Sequence, residues 1–156
     1  MNSYKEKVDA FIKCKSIAVT GVSRSSGSSV GNPIYKRFKS EGYETYQVNP
    51  NADTIDGDKC YPNLKAISQK VDAVMICTNS KDSISVVKEC KELGIDKVWF
   101  HNSMGPGSYS KEAAEFCKEN GITAIETGCP MMHVGNVDFG HKCIHFFLNV
   151  FGKLKN

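Results

Sequence analysis

The chain has 156 residues, 40% of them hydrophobic and 24% charged, the balance of one globular domain large enough to bury a core without disulfides or metal. Lysine and arginine number 20 against 17 acidic residues, and the resulting formal charge of +3 is scattered along the chain rather than gathered in a block, which argues against a nucleic-acid partner. Seven cysteines, an odd number with no C-x-x-C pair, read as small buried hydrophobes of a reducing compartment, and the absence of any apolar run near ~20 residues excludes a spanning helix, so a cytoplasmic location is expected.

The opening segment, MNSYKEKVDAFIKCKS, interleaves lysines with apolar residues at helical spacing and lacks the apolar core of a signal peptide. Ser16 to Gly21 (SIAVTG) then reads as a buried strand ending at glycine. A helical pattern follows from Val30 to Ser40, and a second strand from Tyr43 to Pro50 stops at Asn49-Pro50. Gly57 to Ile67 has room for a short strand and a short helix. Val71 to Thr78 is nearly all apolar, as a central strand covered on both faces should be. Helix Ser83 to Leu93, strand Lys97 to Asn102, helix Ser110 to Asn120 and strand Ile122 to Thr127 complete the alternation, with Gly42, Gly94 and Gly121 placed to end the preceding helices. A last helix is predicted over Val137 to Val150.

Strand and helix in strict alternation predict an α/β chain: one domain over residues 1–156 with a doubly wound, mostly parallel sheet and helices on both faces. Ligands of such sheets sit at the carboxyl ends of the strands, near the point where the strand order reverses. The first of these ends, Gly21 to Pro33, is rich in glycine and serine and runs straight into a helix, so its N–H groups can cradle phosphate, with hydroxyls at Ser23, Ser25, Ser26, Ser28 and Ser29 and the guanidinium of Arg24 beside them. A flexible surface loop has the same composition. The spacing fits neither G-x-G-x-x-G nor G-x-x-x-x-G-K-[ST]. The second strand ends in Val48-Asn49-Pro50-Asn51 with no carboxylate before Asp53, so the acid that holds an NAD ribose is missing, while NADP stays open with Arg24 or Lys36 facing its phosphate.

Gly21-Val22-Ser23 after an apolar strand, Tyr43 leading to Val48-Asn49-Pro50, Tyr61-Pro62-Asn63-Leu64, Val71-Asp72, Val98-Trp99 and Cys129-Pro130-Met131 occur in the order seen in the small CoA-binding domain proteins, which the chain resembles over nearly its whole length. These resemble a stand-alone copy of the CoA-binding half of succinyl-CoA synthetase-type enzymes. The resemblance implies a Rossmann-like fold and coenzyme A, free or acylated, as the small-molecule partner. It implies Gly21, Val22, Ser23 and Arg24 under the pyrophosphate, with Ser28 and Val30 closing that loop. Asn49, Pro50 and Asn51 would lie beside the adenosine and its 3′-phosphate, Thr78, Asn79 and Ser80 in the middle of the site, and Asn102, Met104 and Cys129 farther along it. The chain departs from its relatives at Arg24, where they carry proline.

Other chemistry-bearing residues have plainer readings beside the functional one. Ser80 and Asp82 are both suited to cap the helix at Ser83. His101 at a strand end could serve as a general base, though a lining residue needs nothing more. Cys129 after the fifth strand could be acidified and pair with the CoA thiol, or be a packed turn residue. His141 and His145 are one helical turn apart, but Lys142 stands where H-E-x-x-H needs glutamate, and no catalytic residue or metal site is assigned. The apolar run Ile144 to Phe151 reads as the face of a closing helix, part of which is available to a homo-oligomer. Two functions remain: a CoA-binding carrier, sensor or regulatory module without turnover, and an NAD(P)-linked oxidoreductase or redox sensor on the same fold.

Overall fold

A computed structural model describes residues 2–25, 27, 29–104, 107–136, 139–152 and 154. Ser26 and Ser28 of the first loop, Gly105, and Val137 at the predicted start of the last helix lie outside the described residues.

Ser3 starts helix α1 (Tyr4–Ile12) with a reciprocal cap, its hydroxyl accepting from the Glu6 N–H while the Glu6 carboxylate accepts from the Ser3 N–H at 2.7 Å. The chain then runs through β1 (Ser16–Thr20), α2 (Gly31–Ser40), β2 (Glu44–Val48), β3 (Thr54–Ile55), β4 (Asp58–Tyr61), β5 (Ala73–Ile76), α3 (Ser83–Leu93), β6 (Lys97–Phe100), α4 (Lys111–Glu119), β7 (Thr123–Ile125) and α5 (Phe139–Val150). The five predicted strands and their intervening helices are all present, trimmed by a few residues at their ends. Gly57 to Ile67 supplies β4 and a 3-10 turn at Leu64–Ala66, as its composition predicts. The addition is β3, which pairs antiparallel with β4 through a tight turn whose Asp56 and Gly57 both have positive φ, 52° and 83°.

The seven strands lie in the order β3-β4-β2-β1-β5-β6-β7, and every pairing but β3 with β4 is parallel. The chain therefore builds outward from β1 to β4, then returns to place β5 on the other side of β1. The order reverses between β1 and β5, and the sheet opens a crevice there. Alternate strand residues feed two cores: Ile17, Val19, Met75 and Trp99 face one, and Ala18, Val74, Ile76 and Phe100 the other. Phe11, Phe38 and Leu148 from α1, α2 and α5 fill the first core, whereas Val87 and Cys117 from α3 and α4, with Leu64, fill the second. The α/β doubly wound architecture expected from the sequence is thus the observed one. Among the described residues no helix is long and apolar enough to cross a membrane.

Candidate functional site

β1 delivers Thr20 to the crevice. Its side-chain oxygen is buried and, among the described residues, has no hydrogen-bond partner, an arrangement that costs roughly 1–3 kcal/mol unless something else meets it. Gly21 follows with φ +77°, and a Cβ there would collide with the Cys77 carbonyl and stand 2.5 Å from the Thr78 nitrogen. Only glycine lets the chain leave β1 this close to the end of β5. Gly31, at the start of α2, is pressed as tightly, since a Cβ would lie 2.9 Å from the Gly21 carbonyl oxygen.

Side chains hold the first loop in place. Ser29 Oγ donates to the Gly21 carbonyl at 2.6 Å and accepts from the Gly31 N–H at 3.1 Å. Asn32 grips Ser23 at both ends, accepting from its N–H at 2.8 Å and donating to its carbonyl at 2.7 Å. Asn49 donates to the Val22 carbonyl at 2.7 Å and accepts from the Asn51 N–H at 2.7 Å, tying the end of β2 to the loop after β1. The two ends of the loop, Gly21 to Ser23 and Ser29 to Asn32, are therefore held by protein contacts before any ligand arrives. Helix α2 begins at Gly31 with Val30 before it; Val30 supplies no side-chain cap, and apart from the Gly31 N–H taken by Ser29 the N-terminal dipole faces this loop. Arg24 is exposed and belongs to no ion pair among the described residues, whereas Lys36 is held by Asp56 at 2.8 Å.

On the opposite face of β1 lies a cleft of about 320 Å³ lined by Thr20, Val48, Pro50, Leu64, Val86 and Glu89, among others. Its lining is largely apolar and contains no lysine or arginine. Asp82 and Glu89 bring carboxylates to it, and both are engaged: Glu89 accepts from the Leu64 N–H at 3.0 Å, and Asp82 accepts from Asn79 Nδ2 at 2.5 Å. The cleft has the size and chemistry for an uncharged ring with polar edges, and the dipole of α2 has the chemistry for phosphate.

The structure brings Gly21, Ser23, Arg24, Val30, Asn49, Pro50, Thr78, Asn79 and Ser80 to the strand ends that flank this crevice, and it places several other expected residues differently. Val22 turns its side chain into the core, 1% exposed, so only its backbone faces the loop. Capping of α3 by the Asp82 or Ser80 side chain does not form; Asn79 Oδ1 instead accepts from the Lys81 and Asp82 N–H groups, an Asx turn that consumes the Asp82 carboxylate. Asn102 bridges β6 to the chain after β7, its backbone paired with Gly128 and its amide donating to the Glu126 carbonyl at 3.0 Å. Met104 stands alone at the rim, 76% exposed.

Cys129 is 5% exposed and packs within the core cluster of Tyr4, Trp99 and Met132, so its thiol does not open onto the crevice. Burial, with the nearby Cys129, also pushes the Cys77 thiol well up, away from the nucleophilic thiolate. His101 is buried at 8% exposure, and burial together with His141 lowers its proton affinity. His133 is pushed down to about 4 by burial and by His145, whose ring packs edge-on 5.2 Å away. Among the described residues no group of three or more histidine, cysteine, aspartate or glutamate side chains is placed to hold a metal.

The residues that sequence reasoning missed are Thr20, Asn32 and the cleft lining at Pro62, Asn63, Leu64, Ser85, Val86 and Glu89. Thr20 carried only the signal of its place, a hydroxyl residue directly before Gly21 at the strand end. Asn32 carried only a weak one, an amide beside Pro33 at a helix start.

A family model for the CoA binding domain matches residues 15–135. The chain belongs to that family. The ADP-forming acetate–CoA ligase II of Archaeoglobus fulgidus is 34% identical over 116 residues, which is 69% of this chain and 17% of that protein. The alpha subunit of the ADP-forming acetate–CoA ligase II of Pyrococcus furiosus is 30% identical over 129 residues, covering 78% of this chain and 28% of the subunit. The chain thus spans less than a third of either relative's length. Among solved structures, a conserved hypothetical protein from Pyrococcus furiosus superposes with a TM-score of 0.64 at 34% identity, covering 74% of this chain and 94% of that one. A hypothetical protein from Pyrococcus horikoshii reaches 0.73 at 26% identity, covering 82% and 87%. The dinucleotide-forming acetyl-coenzyme A synthetase 1 of Candidatus Korarchaeum cryptofilum, solved with phosphate and ADP, gives 0.57 at 27% identity over 70% of this chain and 25% of that one.

Proposed function

We propose that the protein binds coenzyme A or an acyl-CoA as a carrier, sensor or regulatory module without turnover of its own, with the ADP end of the ligand over the carboxyl ends of β1, β2 and β5. Family membership supports the ligand, and one observation supports the place: the partnerless hydroxyl of Thr20, buried between the glycine-lined loop and the cleft. A ligand spanning the end of β1 meets both sides at once. Its adenosine enters the apolar cleft against Pro50 and Leu64, its pyrophosphate lies against the Gly21 to Arg24 loop and the start of α2, and Thr20 donates to it.

The residues present fit such a group. Gly21 and Gly31 let the end of β5, the loop after β1 and the start of α2 close together beneath it, and Arg24 is exposed to meet a phosphate. Bound CoA would supply a thiol for acyl transfer, and this chain's own part is to hold and orient the nucleotide end. Absence of turnover is supported at Cys77, whose thiol burial holds away from the nucleophilic thiolate. A nicotinamide nucleotide is disfavoured by Asn49, which stands where the ribose-binding acid belongs and spends its amide on Val22 and Asn51.

Calorimetric titration with CoA, dephospho-CoA, NADH and NADPH tests the reading. CoA is expected to bind at least about tenfold more tightly than either nicotinamide nucleotide, a difference of ~1.4 kcal/mol. Preference for NADH or NADPH would overturn it in favour of a redox function.

A further inference from the structure

A groove larger than the cleft beside β1 lies at the far edge of the sheet. It has a volume of about 920 Å³ and runs along the outer edge of β7, between α1 and α4, with Tyr4 and Lys7 on one wall and Lys118 on the other. β7 is the last strand of the sheet on this side. The register pairs Thr123 with Lys97 and Ile125 with Trp99, and Thr123 N–H donates to the Asp96 carbonyl at 2.8 Å. Backbone groups alternate along a parallel strand, so Thr123 and Ile125 spend theirs on β6 and Ala124 turns both N–H and carbonyl outward. β7 is short, three residues, but Ile122 to Thr127 has no proline, and no charge lies between Ile122 and Ile125.

The charges that flank the edge are unspent. Among the described residues neither Glu126, Lys118 nor Lys7 belongs to an ion pair, although seven other lysines do. Glu126 and Lys118 are both exposed, and both lie on the α4 side of the sheet, where Ile122 and Ala124 join the second core. An open strand edge carrying one acid and one base on the same face is complementary to its own copy turned through two-fold rotation.

We infer that β7 is a self-association edge, pairing antiparallel with β7 of a second copy of this chain about a two-fold axis at Ala124. Ala124 and the partner's Ala124 exchange both backbone hydrogen bonds. Glu126 N–H then donates to the carbonyl of the partner's Ile122, and the reverse holds by symmetry. The same register carries the Glu126 carboxylate toward the partner's Lys118. Thr123 meets the partner's Ile125 on the α1 side, closing the apolar part of the groove. Two sheets become one continuous sheet, with the crevices between β1 and β5 left open at a distance of several strands.

Light scattering after size exclusion, on the full chain across micromolar concentrations, tests this without reference to CoA. A particle of twice the protomer mass is expected, and a monomer at every concentration overturns the inference. Glu126→Lys and Lys118→Glu should each shift the dimer toward monomer by about tenfold or more in dissociation constant, and the double variant should regain most of the loss. Ala124→Pro removes the outward N–H and should give a monomer whose circular dichroism matches the parent; if it does not fold, the charge-swap series decides alone. A dimer indifferent to both charge reversals but dissolved by Phe146→Glu would overturn the inference in favour of the apolar face of α5. Because no step involves the nucleotide site, loss of CoA binding with the dimer intact would fail the proposed function and leave this inference standing.

Discussion

The two halves of the carboxyl rim are built from the same alternation of strand and helix but finish their polar groups differently. Around β1 and β5 the rim is unfinished: among the described residues Thr20 keeps a buried hydroxyl without a partner, Val30 supplies α2 no side-chain cap, and Arg24 belongs to no ion pair. Around β6 and β7 the rim closes on itself, through the Asn102 and Gly128 bridge and the Trp99 indole donating to the Thr127 carbonyl at 3.0 Å. Tyr4 and His133 add a further tie, 3.1 Å apart. Polar groups left open where the strand order reverses mark where a ligand completes the structure.

The sharpest way to break the contrast is at Gly21. Gly21→Val places a branched side chain at φ +77° against the Cys77 carbonyl, and should cost more than ~3 kcal/mol or abolish folding, seen as loss of the thermal transition. Gly42→Ala, at φ +88° with open space around its Cβ position, should cost only about 1–2 kcal/mol. Equal effects would mean that conformation alone, not the close approach of β1 and β5, is what Gly21 supplies.

Asn49→Asp removes the donor to the Val22 carbonyl and sets a carboxylate beside the proposed phosphates. A stability loss of about 1–3 kcal/mol is expected by chemical denaturation, together with weaker CoA binding. If stability falls but affinity does not, Asn49 only positions the loop.

The closed side predicts a pH effect. His133 has a folded-state pKa of about 4, below its unfolded value near 6.5, so the unfolded chain takes up a proton that the folded one refuses. This contribution is full above about pH 6.5 and is lost as pH falls toward about 4. After allowance for solvent screening of a partly exposed ring, roughly 1–2 kcal/mol should disappear over that window, and His133→Phe should flatten the profile. An unchanged slope would show that the His133 and His145 pair does not drive it.

Thr20→Val should separate function from stability on the open side. Removing a buried hydroxyl with no partner should leave the melting temperature equal or raise it by up to ~1 kcal/mol equivalent, while CoA affinity drops about tenfold. Loss of stability would mean the hydroxyl already has a use inside the fold. The smallest effect is expected for Arg24→Ala, a few-fold loss of CoA affinity that fades as salt is raised.

Much of this was legible beforehand. Ser83 to Leu93 is helical over the predicted span, and the C-terminal glycines of α2, α3 and α4 adopt positive φ at Gly42, Gly94 and Gly121, because local spacing and backbone freedom decide such features. The β3 hairpin was missed because two residues of strand make no period. The site was read less well. Position after a strand told that Asn49 and Cys129 lie near the rim, but not that one binds the Val22 carbonyl and the other sinks beside Tyr4 and Met132.

The sequence by itself determined the order of elements, the crevice at the first glycine loop and the CoA-binding family, since each is written in short-range pattern and ordered motifs. The tertiary structure alone decided which polar groups are spent and which are left over. Thr20, Glu126 and Lys118 look ordinary as letters; their open state depends on what residues tens of positions away bring to them. Local propensity fixes where a side chain begins, and only packing fixes what it meets.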